Sequence, residues 1–221
     1  MVELPLFPLN LVLFPSMPLR LHIFEERYKE MINKCVDEQA PFGVVLLEEG
    51  KAEGGGIAKP RLVGTTAHIT EVQRLPRGRM NILAIGRDRF RISNLDFQRH
   101  SYLTGDVEMV SLDEHEPAHI LSNGTRLLRP LLGCYLEALS KAGQEDFDVT
   151  QLPDEPMEIA YLAGILLQTN NEAKQDILEI DDAKTLFTRL LNIYQREVSL
   201  IDILLSPPSA DEDHDLPFSL N

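Results

Sequence analysis

The first twenty-eight residues, MVELPLFPLNLVLFPSMPLRLHIFEERY, restrict the fold more than any other stretch of this chain. Pro5, Pro8, Pro15 and Pro18 cut them into the short apolar runs Val2–Leu6, Leu9–Phe14 and Leu19–Ile23. A proline has no backbone donor, so these positions suit strand starts, strand edges and turns, and they exclude a helix. In the third run Leu19, Leu21 and Ile23 alternate with Arg20 and His22, the period of a half-buried strand. At Phe24 the rhythm changes: Phe24, Tyr28, Met31, Ile32 and Cys35 fall at helical spacing, which predicts a helix over Phe24–Asp37. Strand, turn, strand and helix are thus laid down at once, with no nucleophile and no phosphate loop among them. The stretch reads as scaffold.

Further along, Phe42–Glu48 is an apolar run short enough for a buried strand, and Gly50–Pro60 (GKAEGGGIAKP) has loop chemistry. Leu62–Leu75 and Met80–Arg87 alternate around Pro76-Arg77-Gly78-Arg79, which predicts a hairpin. Phe90 and Ile92 open another expected strand. Leu103, Val107 and Met109 mark a further one, with Gly105 as a candidate bulge. Six or more short strands and one early helix point to a mixed β-barrel or a pair of sheets.

After Asp113 the period becomes helical. Leu121, Leu128, Leu132, Leu136 and Leu139 form a stripe in which Pro130 is expected to kink or split the helix. Asp154 is the expected N-cap of a second helix, with Pro156 in its first turn. It carries Ile159, Leu162, Ala163, Leu166 and Leu167 until Asn170-Asn171 stops it. Glu172–Leu178 reads as a short third helix. Asp181 is the expected cap of the last one, where Ala183, Phe187, Leu190, Tyr194, Val198, Ile201 and Leu205 recur until Pro207-Pro208. Ser209–Asn221 reads as a disordered acidic tail. The fold class is α+β: a β-rich lobe over residues 1–113, a helical bundle over 114–206 and a tail over 207–221.

Charge limits the partners. Thirty-five acids against twenty-one bases give a formal charge of −14, which opposes phosphate backbones and anionic membrane surfaces alike. No apolar run approaches the roughly 18 residues of a membrane span. The N-terminus lacks the basic segment and unbroken apolar core of a secretory signal, so a cytoplasmic location is expected. Cys35 and Cys134 lie on apolar faces of predicted helices and are expected as buried, reduced thiols.

The chemistry-bearing patterns are few. His115-Glu116-Pro117-Ala118-His119 matches H-E-x-x-H, which binds zinc when both histidines share one helical face and the Glu polarises a metal-bound water. Pro117 opposes that geometry, because it fits a first helical position that would leave His115 outside the helix. His22 and His68 belong to alternating strands, and neither has a second ligand at metal spacing. Gly50–Gly56 lacks the Lys and hydroxyl that a phosphate loop places after its last glycine. Ser140 and Lys141 are adjacent on a helix, so their side chains diverge. Arg74, Arg77, Arg79, Arg87, Arg89, Arg91 and Arg99 form the one basic concentration, expected chiefly to neutralise the protein's own acids. No catalytic residue, metal or cofactor is expected.

LPLFPL, LVLFP and PLRLHIFEERY at this spacing resemble the start of the LON substrate-binding domain, the N-terminal domain of ATP-dependent Lon proteases. The resemblance continues through FGVVLL (Phe42–Leu47), VGTTAHITEVQRLPRGRMNILAIGRDRFRI (Val63–Ile92) and YLTGDVEMV (Tyr102–Val110). It reaches, more faintly, Leu166–Tyr194. It implies that residues 1–205 form one PUA-like barrel with a helical second lobe, in a stand-alone member lacking ATPase and peptidase modules. It also implies a non-catalytic module recognising other proteins or extended, unfolded segments, with a protease on a separate chain as a further partner. An RNA-binding PUA-like module is one alternative, and a zinc hydrolase using His115, Glu116 and His119 is the other, which Pro117 opposes. The expected peptide contacts are Phe14, Met17 and Pro18, beside the Gly50–Pro60 loop, in a groove between lobes or along a strand edge.

Overall fold

In the first strand, β1 (Val2–Leu9), two prolines are tolerated because of which neighbour each half of the strand has. Val2–Pro5 pair antiparallel with β6 (Thr104–Met109), while Leu6–Leu9 pair parallel with β3 (Phe42–Leu46). Leu6 N–H donates to Leu103 O at 2.8 Å and Leu47 N–H to Leu9 O at 3.0 Å. Even-numbered residues therefore face the β6 side and odd-numbered ones the β3 side. Pro5 faces the side where β3 has not begun, and Pro8 the side where β6 has ended. Neither removes a ladder bond.

The computed structural model describes residues 2–47, 59–112, 117–141 and 148–205. After β1 come β2 (Pro18–Ile23), α1 (Glu26–Asp37), β3, β4 (Val63–Arg74), β5 (Met80–Asp96) and β6. The helices α2 (Ala118–Lys141), α3 (Pro156–Leu166), α4 (Asn171–Leu178) and α5 (Ala183–Leu205) follow. The sheet order is β2-β5-β4-β3-β1-β6, and β5 also pairs with β6. Five strands therefore close into a barrel, and β2 lies outside the closure. The architecture is the expected α+β barrel followed by helices.

Closure depends on β5, which at 17 residues serves two neighbours on one edge. Its first part, Met80–Ile85, pairs with β2; its last part, Phe90–Asp96, pairs with β6. Phe90 and Ile92 thus continue β5 rather than open a new strand. The bend is made by register shifts, one between Ile92 and Asn94 where β6 advances a single residue. The bulge therefore lies on β5, not at Gly105. The run Leu9–Phe14 is not a strand beyond Leu9.

Leu4, Leu6, Val45, Phe90, Ile92, Leu103 and Val107 form one barrel cluster. A second joins β2 and β5 to the buried face of α1, Tyr28, Met31, Ile32 and Cys35. α1 starts at Glu26 rather than Phe24, whose ring is left 61% exposed. The helical core gathers Leu128, Leu132, Tyr135, Ile159, Ala163, Phe187, Leu190 and Tyr194. Tyr135 and Tyr194 meet edge to face at 5.1 Å, and Tyr194 Oη donates to Ala163 O at 2.8 Å.

Several local expectations are corrected. Pro130 sits inside a continuous α2. Cys134 lies on the exposed side of that helix, so only Cys35 of the two thiols is buried. The N-cap of α3 is Glu155, because Asp154 is drawn 2.7 Å from Arg129 instead. Asp182, not Asp181, accepts from Thr185 N–H at the head of α5, because Asp181 is engaged by Arg91. The third helix is headed by Asn170, whose side chain accepts from Ala173 N–H at 2.8 Å.

Candidate functional site

The turn from Phe14 to Pro18 does not present an aromatic to solvent. Ser16 takes a left-handed backbone (φ 65), and the turn is stitched to β5 through Gly86. Ser16 N–H donates to Gly86 O at 2.9 Å and Gly86 N–H to Met17 O at 3.0 Å. Phe14 is 1% exposed in the helical core. Met17 is half-buried between the helical core and the α1 core, and Pro18 is exposed. Of the three expected peptide contacts, Phe14 is instead the plug that joins barrel to helices.

The arginines divide by role. Arg89, 3% exposed, donates through Nη1 to Leu178 O at 2.7 Å and to Ile180 O, capping the end of α4. Arg91 reaches Asp181 at 3.0 Å, Arg61 reaches Glu179 at 3.1 Å, and Arg99 reaches Glu3 at 2.7 Å. Gln175 Nε2 adds a bond to Val63 O at 2.9 Å. Arg89, Arg91, Arg61 and Gln175 clamp the α4–α5 connection to the barrel, while Arg99 pairs within the barrel. Of the seven clustered arginines only Arg89, Arg91 and Arg99 meet acids of the protein among the described residues. Arg74, Arg77, Arg79 and Arg87 are exposed and make no ion pair among the described residues.

Where barrel meets helices there is a cleft of about 320 Å³, lined by Asn10, Leu46, Leu47, Arg61, Asn171 and Glu172. Asn171 Nδ2 donates across it to Asn10 O at 3.0 Å. This is an inter-lobe groove, but Phe14 and Met17 do not line it. Sequence reasoning read Asn170-Asn171 only as a helix stop, and nothing in the spacing tied Asn171 to Asn10, 161 positions away. Gly50–Ala58 lie outside the described residues. Pro60 is buried and bridged to Leu47.

A second feature follows from closure. Among the described strands, β2 alone has one hydrogen-bonded neighbour along its length, β5. Because the Met17 carbonyl faces β5, alternation turns the N–H and C=O of Leu19, Leu21 and Ile23 onto β5. The same groups of Arg20 and His22, with the Pro18 carbonyl, face the side with no described strand. Beside this edge the outer face is hollowed by about 540 Å³, lined by Arg20, His22, Glu71, Gln73, Asn81 and Leu83. His22 Nδ1 donates to Asn81 Oδ1 at 2.7 Å and Asn81 Nδ2 to Gln73 Oε1 at 3.0 Å. The exposed Phe24 ring stacks on His22 at 6.0 Å. An open edge, a shallow hollow and an exposed ring can take an extended chain by strand addition. Pro18 and Arg20 limit indiscriminate pairing there.

His115 and Glu116 lie outside the described residues. α2 begins at Ala118, directly after Pro117, so His119 sits in its first turn. Among the described residues no group of three or more His, Cys, Asp or Glu is placed to hold a metal ion. No helix among them is long and apolar enough to cross a membrane.

The family described as the ATP-dependent protease La (LON) substrate-binding domain matches residues 3–196. The chain is 23% identical over 205 residues to Lon protease of Escherichia coli strain K12 and 22% identical over 205 residues to Lon protease 1 of Bacillus subtilis strain 168. Each alignment covers 91% of this chain and 26% of the relative. The chain thus spans about a quarter of the length of the curated relatives it matches. Among solved structures, a Lon N-terminal domain protein from Xanthomonas campestris superposes with a TM-score of 0.64 at 25% identity, covering 87% of this chain and 98% of that one. The N-terminal domain of Mycobacterium avium complex Lon protease gives 0.65 at 20% identity over 90% and 98%, a likeness of fold. The barrel with its helical lobe is consistent with a PUA-like description.

Proposed function

This chain belongs to the LON substrate-binding domain family, and we propose that it is a non-catalytic module that takes extended or unfolded polypeptide segments along the β2 edge. The observation that carries this reading is the exception to closure: a barrel removes its edges, and here, among the described residues, one strand is left with a free side. Main-chain bonds to Arg20 and His22 supply affinity without sequence, and the hollow beside Asn81 with the Phe24 ring supplies side-chain preference. Pro18 and, by its flank, Met17 belong to this edge. We read residues 1–205 as one LON N-terminal domain acting in the cytoplasm, delivering segments to a protease on a separate chain. RNA binding is the second reading, favoured by the unpaired hairpin arginines. It requires affinity that falls steeply with salt.

The test is an NMR titration of the full chain with a neutral peptide of alternating apolar and polar residues, alongside assays for ATP and peptide hydrolysis. Shifts at the Arg20 and His22 amides with no hydrolysis are expected. Shifts confined to Asn10, Arg61 and Asn171 would move the site to the inter-lobe cleft. Turnover of either substrate would overturn the non-catalytic reading.

A further inference from the structure

The strand edge adjoins the only part of the arginine concentration, apart from Arg87, that the fold leaves uncommitted. Ile23, the last residue of β2, pairs with Met80, so the hairpin Arg74–Met80 stands at the C-terminal end of the edge. Its tip is a short 3₁₀ turn, Pro76–Gly78, with Arg77 and Gly78 in left-handed backbone (φ 63 and φ 70). Arg74 Nη1 donates to neutral Asn33 Oδ1 at 3.0 Å and Arg79 Nε to Pro76 O at 3.2 Å. Of the acids nearby, Glu25 is engaged by Arg27 at 2.8 Å, Glu26 by Lys29 at 2.7 Å and Glu30 by Ser101 Oγ at 2.7 Å, while Glu71 lines the hollow beside Arg20. Arg20, on the edge itself, is also exposed and makes no ion pair among the described residues. In a chain of charge −14, four guanidiniums flanking one free strand edge, against Glu71 and Glu30 as the nearby acids that no ion pair among the described residues neutralises, leave a local excess of the opposite sign.

We propose that this edge is selective for extended segments in which a block of Asp and Glu precedes alternating apolar residues. The inference rests on the reading of β2 as a peptide-accepting edge. Charge complementarity fixes the orientation of such a segment. With its acids at Arg74, Arg77 and Arg79, the apolar part runs from Ile23 towards Pro18, antiparallel to β2. Every second residue then directs its N–H and C=O at Arg20 and His22, and the residues between tolerate proline. A nucleic acid is the poorer fit: the cationic surface ends within one hairpin, and the rest of the chain repels phosphates.

The chain's own sequence contains a segment of this chemistry, Asp211-Glu212-Asp213-His214-Asp215 followed by Leu216, Phe218 and Leu220 with Pro217 and Ser219 between. A synthetic peptide of Ser209–Asn221 is therefore the probe. Its partner is the same peptide with Asp replaced by Asn and Glu by Gln. Titrated against the full chain at low salt, the acidic peptide is expected to bind about tenfold tighter, the sum of a few exposed ion pairs. Both peptides are expected to slow hydrogen exchange at the Arg20 and His22 amides. In the R77Q and R79Q double variant, whose thermal unfolding is checked for an unchanged fold, and in high salt, the preference is expected to vanish.

Equal affinity of the two peptides overturns the selectivity while leaving the strand-addition reading intact. A preference that survives the double variant overturns the assignment to the hairpin. Binding of neither peptide overturns the selectivity and strand addition together. Tighter binding of single-stranded RNA that depends on Arg77 and Arg79 replaces the acidic peptide as the partner.

Discussion

The Phe14 ring lies directly on the backbone of Gly164, so close that a Cβ at Gly164 would stand 2.8 Å from Phe14 Cε1. A turn of the barrel is thereby seated in a helix of the second lobe, and a glycine makes room for it. Phe14→Ala removes a fully buried ring and is expected to cost about 3–5 kcal/mol. Gly164→Ala overpacks the same contact and is expected to cost about 1–3 kcal/mol. Chemical denaturation of each variant measures both. A Phe14→Ala loss below 1 kcal/mol would mean that the lobes are joined elsewhere.

Arg89 makes the second joint. Its Nη1 serves two carbonyls at the end of α4, while Nε and Nη2 are buried without a hydrogen-bond partner. Arg89→Ala is expected to destabilise by about 2–5 kcal/mol, through lost charge-assisted bonds and an emptied volume. Arg89→Met keeps the volume and relieves the two unpartnered nitrogens, so it is expected to cost less than alanine. Unfolding curves that rank methionine below alanine would contradict this balance.

The two thiols separate by reactivity. Burial pushes the Cys35 thiol up to about 11, with Glu38 adding to the shift. Cys134 is exposed. In the native chain one thiol is expected to react promptly with a disulfide reagent and the other only on unfolding. The folded state disfavours the Cys35 thiolate, so its contribution is fully present below the unfolded thiol's range. Stability is then lost as pH rises from about 9 towards 11, where the unfolded chain ionises first. A Cys35→Ala variant whose alkaline stability falls as steeply as the parent's would sink that assignment.

At the end of α1, Gln39 holds a left-handed conformation (φ 51) while Ala40 N–H reaches Cys35 O at 2.9 Å and Gln39 N–H reaches Val36 O at 3.3 Å. This is the helix stop that glycine favours. Gln39→Gly, at an exposed site, is expected to raise stability by roughly 0.5–1 kcal/mol, read as a higher melting temperature.

The sequence showed its periodic elements plainly and its joints hardly at all. β2, α1, the hairpin after Arg74 and the stripe of α5 were legible because each has a local period or a local breaker. Phe14 and Arg89 were not. Both sit in segments whose own pattern is satisfied by either exposure or burial, and the partners that decide, Gly164 and Leu178, are remote in sequence. Asp154 and Asp181 looked like caps because capping is local chemistry, yet arginines from elsewhere in the chain took them. The free side of β2 was invisible for the same reason: whether a strand is an edge depends on where β5 and β6 meet.

That free side can be tested at single-residue resolution. The Arg20 N–H faces away from β5, whereas the Leu21 N–H lies in the β2–β5 ladder. Arg20→Pro therefore deletes a donor that no described strand uses, and is expected to leave stability within about 1 kcal/mol. Leu21→Pro deletes a ladder bond and disturbs a half-buried side chain, and is expected to cost at least about 2 kcal/mol. If β2 receives extended segments, Arg20→Pro abolishes peptide binding in a folded protein. The charge-only change Arg20→Gln weakens binding of acidic peptides but keeps that of neutral ones. Peptide binding that persists through Arg20→Pro, measured by the same titration, would place the segment on another surface.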